Sequence, residues 1–255
     1  MLVVVVLTAF CAAGLTLFSG FGLGTLLLPA FALFFPLKVA VAATAAVHLA
    51  NNLFKVGLLW RFPNWRVVAM FGVPAMVAAM FGAMALNALS SGEVLMAWQL
   101  GARTCEVRPD GLAIGGLVLF FAAIELHPRG RKVGFPRRFV PLGGLMSGFL
   151  GGVSGHQGAL RSAFLLRLEL PREVYIGTGT MCAVMVDLAR IPTYGAAGFA
   201  ELEGSWSVVV AGAAAAFAGS YIGRRLMKKV TMDAIHLLVG VLLVILGAAI
   251  AAGVI

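Results

Sequence analysis

The sequence predicts an all-α polytopic membrane protein, an inverted repeat in which each half is a re-entrant helical hairpin plus three transmembrane helices. Three observations lead there. Of 255 residues, 61% are hydrophobic and only 11% charged, whereas a soluble domain carries about a quarter charged residues to solvate its surface. Apolar blocks of about 20 residues recur, the length at which a helix crosses a bilayer. Two further blocks are too short to cross, and they hold equivalent places in the two halves of the chain. A soluble enzyme, a disulfide scaffold and a fibrous protein are thereby excluded.

Read between glycine, proline and charged punctuation, the blocks cover 1–18, 24–35, 37–60, 66–89, 110–127, 139–152, 158–168, 172–197, 205–227 and 233–254. The blocks at 24–35 and 158–168 reach only about 17 Å as helices, against a hydrocarbon core of about 30 Å. Each follows a glycine-rich break and ends at a proline, Pro36 or Pro171. Residues 1–35 and 139–170 therefore read as hairpins that enter and leave on one face. The first repeat, 1–127, adds crossings 37–60, 66–89 and 110–127. A basic linker, 128–138, leads to the second repeat, 139–255, with crossings 172–197, 205–227 and 233–254.

The 19 Lys and Arg outnumber the 10 Asp and Glu. With the N-terminus outside, the inner loops collect Arg61, Arg66, Arg129, Arg131, Lys132, Arg137, Arg138, Arg167, Arg172, Arg224, Arg225, Lys228 and Lys229. The outer face keeps Lys38, Arg103 and Arg108, together with Glu201 and Glu203. The positive-inside rule thus predicts a multi-pass membrane protein with both termini on the outer, periplasmic side. No basic run is interleaved with exposed aromatics, so the lipid bilayer and not nucleic acid is the expected partner. Cys11, Cys105 and Cys182 are odd in number and form no ligand spacing. They read as packing residues, with no metal and no cofactor expected. Residues 1–18 lack a basic leader region and read as a helix, not a signal peptide.

A shift of 135 residues superposes Ser19-Gly20 on Ser154-Gly155, Pro36 on Pro171, Val39 on Val174, Asn52-Leu53 on Asp187-Leu188, and Lys55 on Arg190. Three crossings per half turn the second half upside down. Such inverted repeats are common among secondary transporters.

Residues 17–60, beginning LFSGFGLGTLLLPAF, and 148–198, beginning GFLGGVSGHQGALRSAF, resemble the two halves of the sulfite exporter TauE/SafE family. The shared pattern is a glycine-rich break, a short apolar helix, a proline and a helix with small and hydroxyl residues. The resemblance implies a bacterial inner-membrane permease for sulfite, sulfonates and related small anions, often an exporter. His156 and Gln157 stand where members of the family often have glycine, a departure that bears on the substrate.

The candidate substrate residues gather at the hairpin tips: Ser19, Gly20, Gly22, Gly24 and Thr25 in the first, Ser154, Gly155, His156, Gln157 and Gly158 in the second. Unwound backbone there offers N–H groups to an anion, and the short helix that follows presents its positive end. Close helix packing is the alternative use of such glycines. Arg161 lies one turn into the second short helix, where the first repeat has Leu26. Its planar fork suits the oxygens of a sulfite or sulfonate group; an ion pair with Asp187, or reach to cytoplasmic water, are the alternatives.

Asp187 and Arg190, three apart, share a helix face and can neutralise each other. Asn52 and Lys55 repeat the spacing without the acid. Lys55 and Arg190 sit near the ends of crossings, where long side chains snorkel to water. Asp187 lies deeper and suits proton binding, or gating by a pair with Arg161. His48, among alanines, suits either proton coupling or a neutral hydrogen bond between helices. Thr178 and Thr180 offer hydroxyls to an oxyanion or to helix packing. Glu125 and His236 read as solvated, without a role.

The reading that results is a secondary transporter of a small organosulfur oxyanion working by alternating access, and not an enzyme. Gly152-Val153-Ser154-Gly155 also fits a rhomboid-like intramembrane serine protease using Ser154, and an anion channel on the same fold is a third reading. The serine repeated at Ser19 is explained by a transporter and not by a single protease site.

Overall fold

The computed structural model describes residues 1–19, 22–127, 134–195, 198–199, 202, 204–226 and 232–255. Gly20, Arg129, Arg131, Lys132, Glu201, Glu203, Lys228 and Lys229 lie outside the described residues, as do the side chains of Ser19, Arg224, Arg225 and His236.

The elements follow the punctuation of the sequence. Helix α1 (Leu2–Ser19) is apolar on every face, as a buried or lipid-facing helix must be. Helix α2 (Leu23–Ala32) has ten residues, all buried, and at 1.5 Å per residue reaches about 15 Å, half of a hydrocarbon core. Pro36 starts α3 (Leu37–Leu59) with φ −51° and ψ 146°. Pro171 starts α9 (Arg172–Tyr194) in the same conformation, φ −51° and ψ 147°, and both helices run for 23 residues. Between them come α4 (Trp65–Val67) and α5 (Val73–Ser90), joined by a π-helical turn at Val68–Gly72 into one rod. Pro74 accounts for that turn, because it has no N–H for the carbonyl four residues back at Met70 and its ring crowds that position. Helix α6 (Pro109–Leu126) closes the first half.

The second half repeats this order with α7 (Val140–Ser154), the short α8 (Gly158–Leu165) extended by a 3-10 turn at Leu166–Leu168, α9, α10 (Trp206–Leu226) and α11 (Met232–Ala251). Among the described residues five helices are long and apolar enough to cross a membrane: α3, the α4–α5 rod, α6, α9 and α10. The expected all-α class needs one correction. Strands β1 (Met96–Leu100) and β2 (Arg103–Val107) form an antiparallel hairpin between α5 and α6. Gly101, at φ 63°, begins its two-residue turn, and Trp98 Nε1 donates to the Ala252 carbonyl at 2.8 Å, tying the hairpin to the end of α11.

Packing crosses between the halves. Helix α1 lies on α10 and α7 on α5, while α3 packs on α9 and α6 on α11. The seams are lined by glycine because backbone meets backbone there. A Cβ on Gly144, Gly148 or Gly152 of α7 would strike the main chain of Phe71, Ala75 or Ala79 respectively, and one on Gly219 of α10 would strike Phe10 of α1. Without a hydrophobic drive between helices in lipid, such close contact is a main source of association.

Gly148→Val is therefore expected to lower stability by roughly 1–3 kcal/mol through overpacking, read as a lower unfolding temperature in detergent. Gly116→Ala, with open space around its Cβ, should stay within about 0.5 kcal/mol of the parent.

Candidate functional site

The start of α2 meets the end of α7 and the start of α8. A Cβ on Gly22 would sit 3.8 Å from the Gly158 N, and one on Gly24 would sit 3.2 Å from the Gly155 carbonyl oxygen. Helix α7 ends because Gly155 turns left-handed at φ 79°, where a side chain is strained. A side chain there would also meet Arg190, whose Nη1 lies 3.1 Å from the Cβ position.

A helix that stops inside the protein leaves carbonyls without partners. The Tyr194 hydroxyl of α9 supplies one, donating to the Gly152 carbonyl at 2.7 Å, and Arg190 Nη1 gives the Gly151 carbonyl, which already accepts from the Gly155 N–H at 2.8 Å, a second donor at 2.9 Å. The guanidinium is also the favourable charge for that negative end of the α7 dipole. Asp187 balances it, Oδ1 accepting from Arg190 Nε at 2.9 Å and lying 2.8 Å from Nη2. The other carboxylate oxygen, Oδ2, lies 2.6 Å from Nδ1 of His48 on α3. A carboxylate only accepts, so Nδ1 carries the proton, and Nε2 can accept from Asn52 Nδ2 at 3.3 Å. Asp187 and Arg190 are both 0% exposed.

This arrangement decides several sequence readings. Asp187 and Arg190 do neutralise each other, and His48 does bond across helices. Among the described residues the ion pairs of Asp187 are with Arg190 and His48, and Arg161 is not among its partners. Among the described residues its side-chain bond is a long one, 3.4 Å from Nη1 to Gln157 Oε1. Snorkelling fails for both basic residues: Arg190 is enclosed, and Lys55 is buried at 8% exposure. The end of a helix is not the surface of the protein when other helices cover it. With its amide turned so that both ends are satisfied, Asn51 accepts from Lys55 Nζ at 3.1 Å and donates to Ser220 Oγ of α10 at 2.9 Å.

Thr178 Oγ1 accepts from the Asn64 N–H at 2.9 Å, fastening α9 to the start of the rod. Thr180 is buried nearby on α9. Glu125, expected to be solvated, is buried at 6% exposure. It lines a cavity of about 10 Å³ with Thr25, Phe121, His156, Ala159 and Leu243. The His156 ring stacks on Phe121 at 5.9 Å between centroids, and its Nε2 has no hydrogen-bond partner, as is also true of Gln157 Nε2. Tyr194, Asn51 and Ser220 went unnoticed in the sequence. Tyr194 had a signal, its place one helical turn beyond Arg190.

A family model described as Sulfite exporter TauE/SafE matches residues 5–250 of the chain. The chain belongs to the sulfite exporter TauE/SafE family. It is a multi-pass membrane protein of a transporter family. No curated protein matches the chain significantly.

Membership gives context to the serine of the GxSG pattern. In this TauE/SafE chain the Ser154 hydroxyl donates to the Leu150 carbonyl at 3.0 Å. His156 Nδ1, 3.2 Å from that hydroxyl, lies 3.0 Å from the Ser154 carbonyl oxygen, to which it must donate. A protonated Nδ1 cannot take the serine proton, so the pair lacks the base that a nucleophile needs.

Asp187→Asn in this TauE/SafE protein leaves Arg190 buried without a counter-charge. A loss of roughly 3–5 kcal/mol is expected, measured by thermal unfolding in detergent. Asp187→Asn combined with Arg190→Met should recover part of that loss.

Proposed function

We propose that the chain is a secondary transporter that moves a small oxyanion, such as sulfite or an organosulfonate, out of the bacterial cytoplasm by alternating access. The meeting of the two glycine-rich ends carries this reading. Gly22 and Gly24 of one approach Gly155 and Gly158 of the other, and the second leaves a buried amide donor, Gln157 Nε2, unsatisfied beside Arg161. A buried donor without a partner and a cation without an acid are what an oxyanion would complete. Transporters with inverted repeats place substrate where broken helices from the two halves meet.

The repeats are 1–127 and 139–255, with α1–α2 and α7–α8 as re-entrant hairpins in an inverted arrangement. Two facts support the repeat: the matched prolines at the starts of α3 and α9, and the exchanged packing of α1 on α10 and α7 on α5. In this reading Ser19, Gly20, Gly22, Gly24, Thr25, Ser154, Gly155, His156, Gln157, Gly158, Arg161, Thr178 and Thr180 surround the substrate path. His48, Asn52, Lys55, Asp187 and Arg190 form the element that opens and closes it. Both termini face the periplasm.

Arg161→Gln should cut sulfite flux into proteoliposomes at least about 100-fold at low substrate, the effect of losing a charge-assisted pair of roughly 3 kcal/mol. The protein should still insert and purify. Ser154→Ala should weaken substrate binding only about five-fold, one hydrogen bond's worth. A protease would lose all activity, so capture of Ser154 by a fluorophosphonate would overturn the transporter reading. For the topology, cysteines placed at residues 131 and 228 should react only after the inner membrane is opened. Labelling at 131 in intact cells would refute it.

A further inference from the structure

The charges of α3 and α9, with Arg161 of α8 half-buried against α9, do not balance. Asp187 is matched by Arg190, with His48 neutral between the helices. That leaves Lys55 and Arg161, and among the described residues neither has a carboxylate partner. Lys55 is held by the neutral oxygen of Asn51, and Arg161 by the long bond to Gln157.

The two cations lie at one level of the same seam. Helices α3 and α9 run antiparallel, since His48 meets Asp187 at one point while Phe62, Pro63 and Asn64, just beyond α3, meet Gly177 and Thr178 at another. Arg161 Nε rests against Gly179, 3.3 Å from where its Cβ would be. From Asp187 to Gly179 is eight residues, about 12 Å of helix; from His48 to Lys55 is seven, about 10 Å. Gly179, with Arg161 on it, therefore stands opposite Lys55.

We infer that Lys55 and Arg161 jointly hold one doubly charged oxyanion, with Lys55 setting the preference for two negative charges over one. Two like charges in a poorly solvated seam destabilise each other, and a dianion between them removes that repulsion where a monoanion removes about half. Arg161 presents the planar fork for two oxygens, and Lys55 adds a point charge from the opposite helix. Gly179 is small because the guanidinium lies across it. This assignment rests on the oxyanion reading above and narrows it to a charge class.

The test uses the full chain in lipid-free detergent, with thiosulfate and sulfate as dianions and methanesulfonate as monoanion, at matched ionic strength so that screening is equal. Binding is read from the concentration that half-maximally raises the unfolding temperature. For the parent protein that concentration should be at least about ten-fold lower for thiosulfate than for methanesulfonate. Lys55→Met should bring the two within about three-fold, mainly by weakening thiosulfate, and Lys55→Arg should keep the preference. Equal binding by the parent, no protection by any anion, or a preference unchanged in Lys55→Met would each overturn the assignment. The comparison on the parent decides the matter even if Lys55→Met does not fold. Sulfite flux in proteoliposomes is measured separately. Flux without charge preference would refute the two-cation site alone, whereas Lys55-dependent dianion protection without flux would keep the site and refute the transporter reading.

Discussion

The broken end of α7 is the constraint on which the rest of the structure depends. Carbonyls of its last turn, including that of Gly152, are inside the protein and must be bonded there. Arg190 and Tyr194 bond them, but an enclosed guanidinium is costly unless a carboxylate neutralises it. Asp187 does so, and its second oxygen is closed by His48. One chain of bonds thus runs from α3 through α9 to the place where α7 stops. The end of α7 cannot shift relative to α9 without exposing a charge or a carbonyl.

The glycine seams impose a second kind of rigidity. Helix α7 touches the α4–α5 rod backbone to backbone at Gly144, Gly148 and Gly152, and α1 touches α10 the same way at Gly219 and Gly223. Packed main chains have no side-chain rotamers with which to absorb a displacement, so each pair moves as one unit. The contact of α3 with α9 is of another kind, carried by polar side chains. Hydrogen bonds between side chains have alternative geometries, whereas interlocked backbones do not.

The fold was legible in the sequence where punctuation is chemical. Pro36 and Pro171 start α3 and α9, glycine-rich breaks precede α2 and α8, and apolar length separates long helices from short ones. The β-hairpin was not legible, since its five-residue strands mix Trp98, Gln99 and Leu100 with a turn at Gly101 and show little alternation. At the site, spacing along one helix gave the Asp187–Arg190 pair. The partnership of Asp187 with His48 spans 139 residues, and nothing local announces it. The burial of Lys55 was misjudged for a related reason: position along a helix says how far a residue is from its end, not what covers it.

The two halves differ in chemistry at positions that the sequence matches. The second half has an acid and a base one turn apart, Asp187 and Arg190, and spends both on closing α7. At the equivalent places the first half has Asn52 and Lys55. An amide in place of the carboxylate removes the counter-charge but keeps the hydrogen bond to His48. Lys55 is then freed from the partner that its counterpart requires, and an asparagine oxygen at Asn51 is enough to orient it. The exchange of one carboxylate for an amide therefore turns the matched helical position from a lock on the fold into a buried cation that, among the described residues, is held by a neutral oxygen alone.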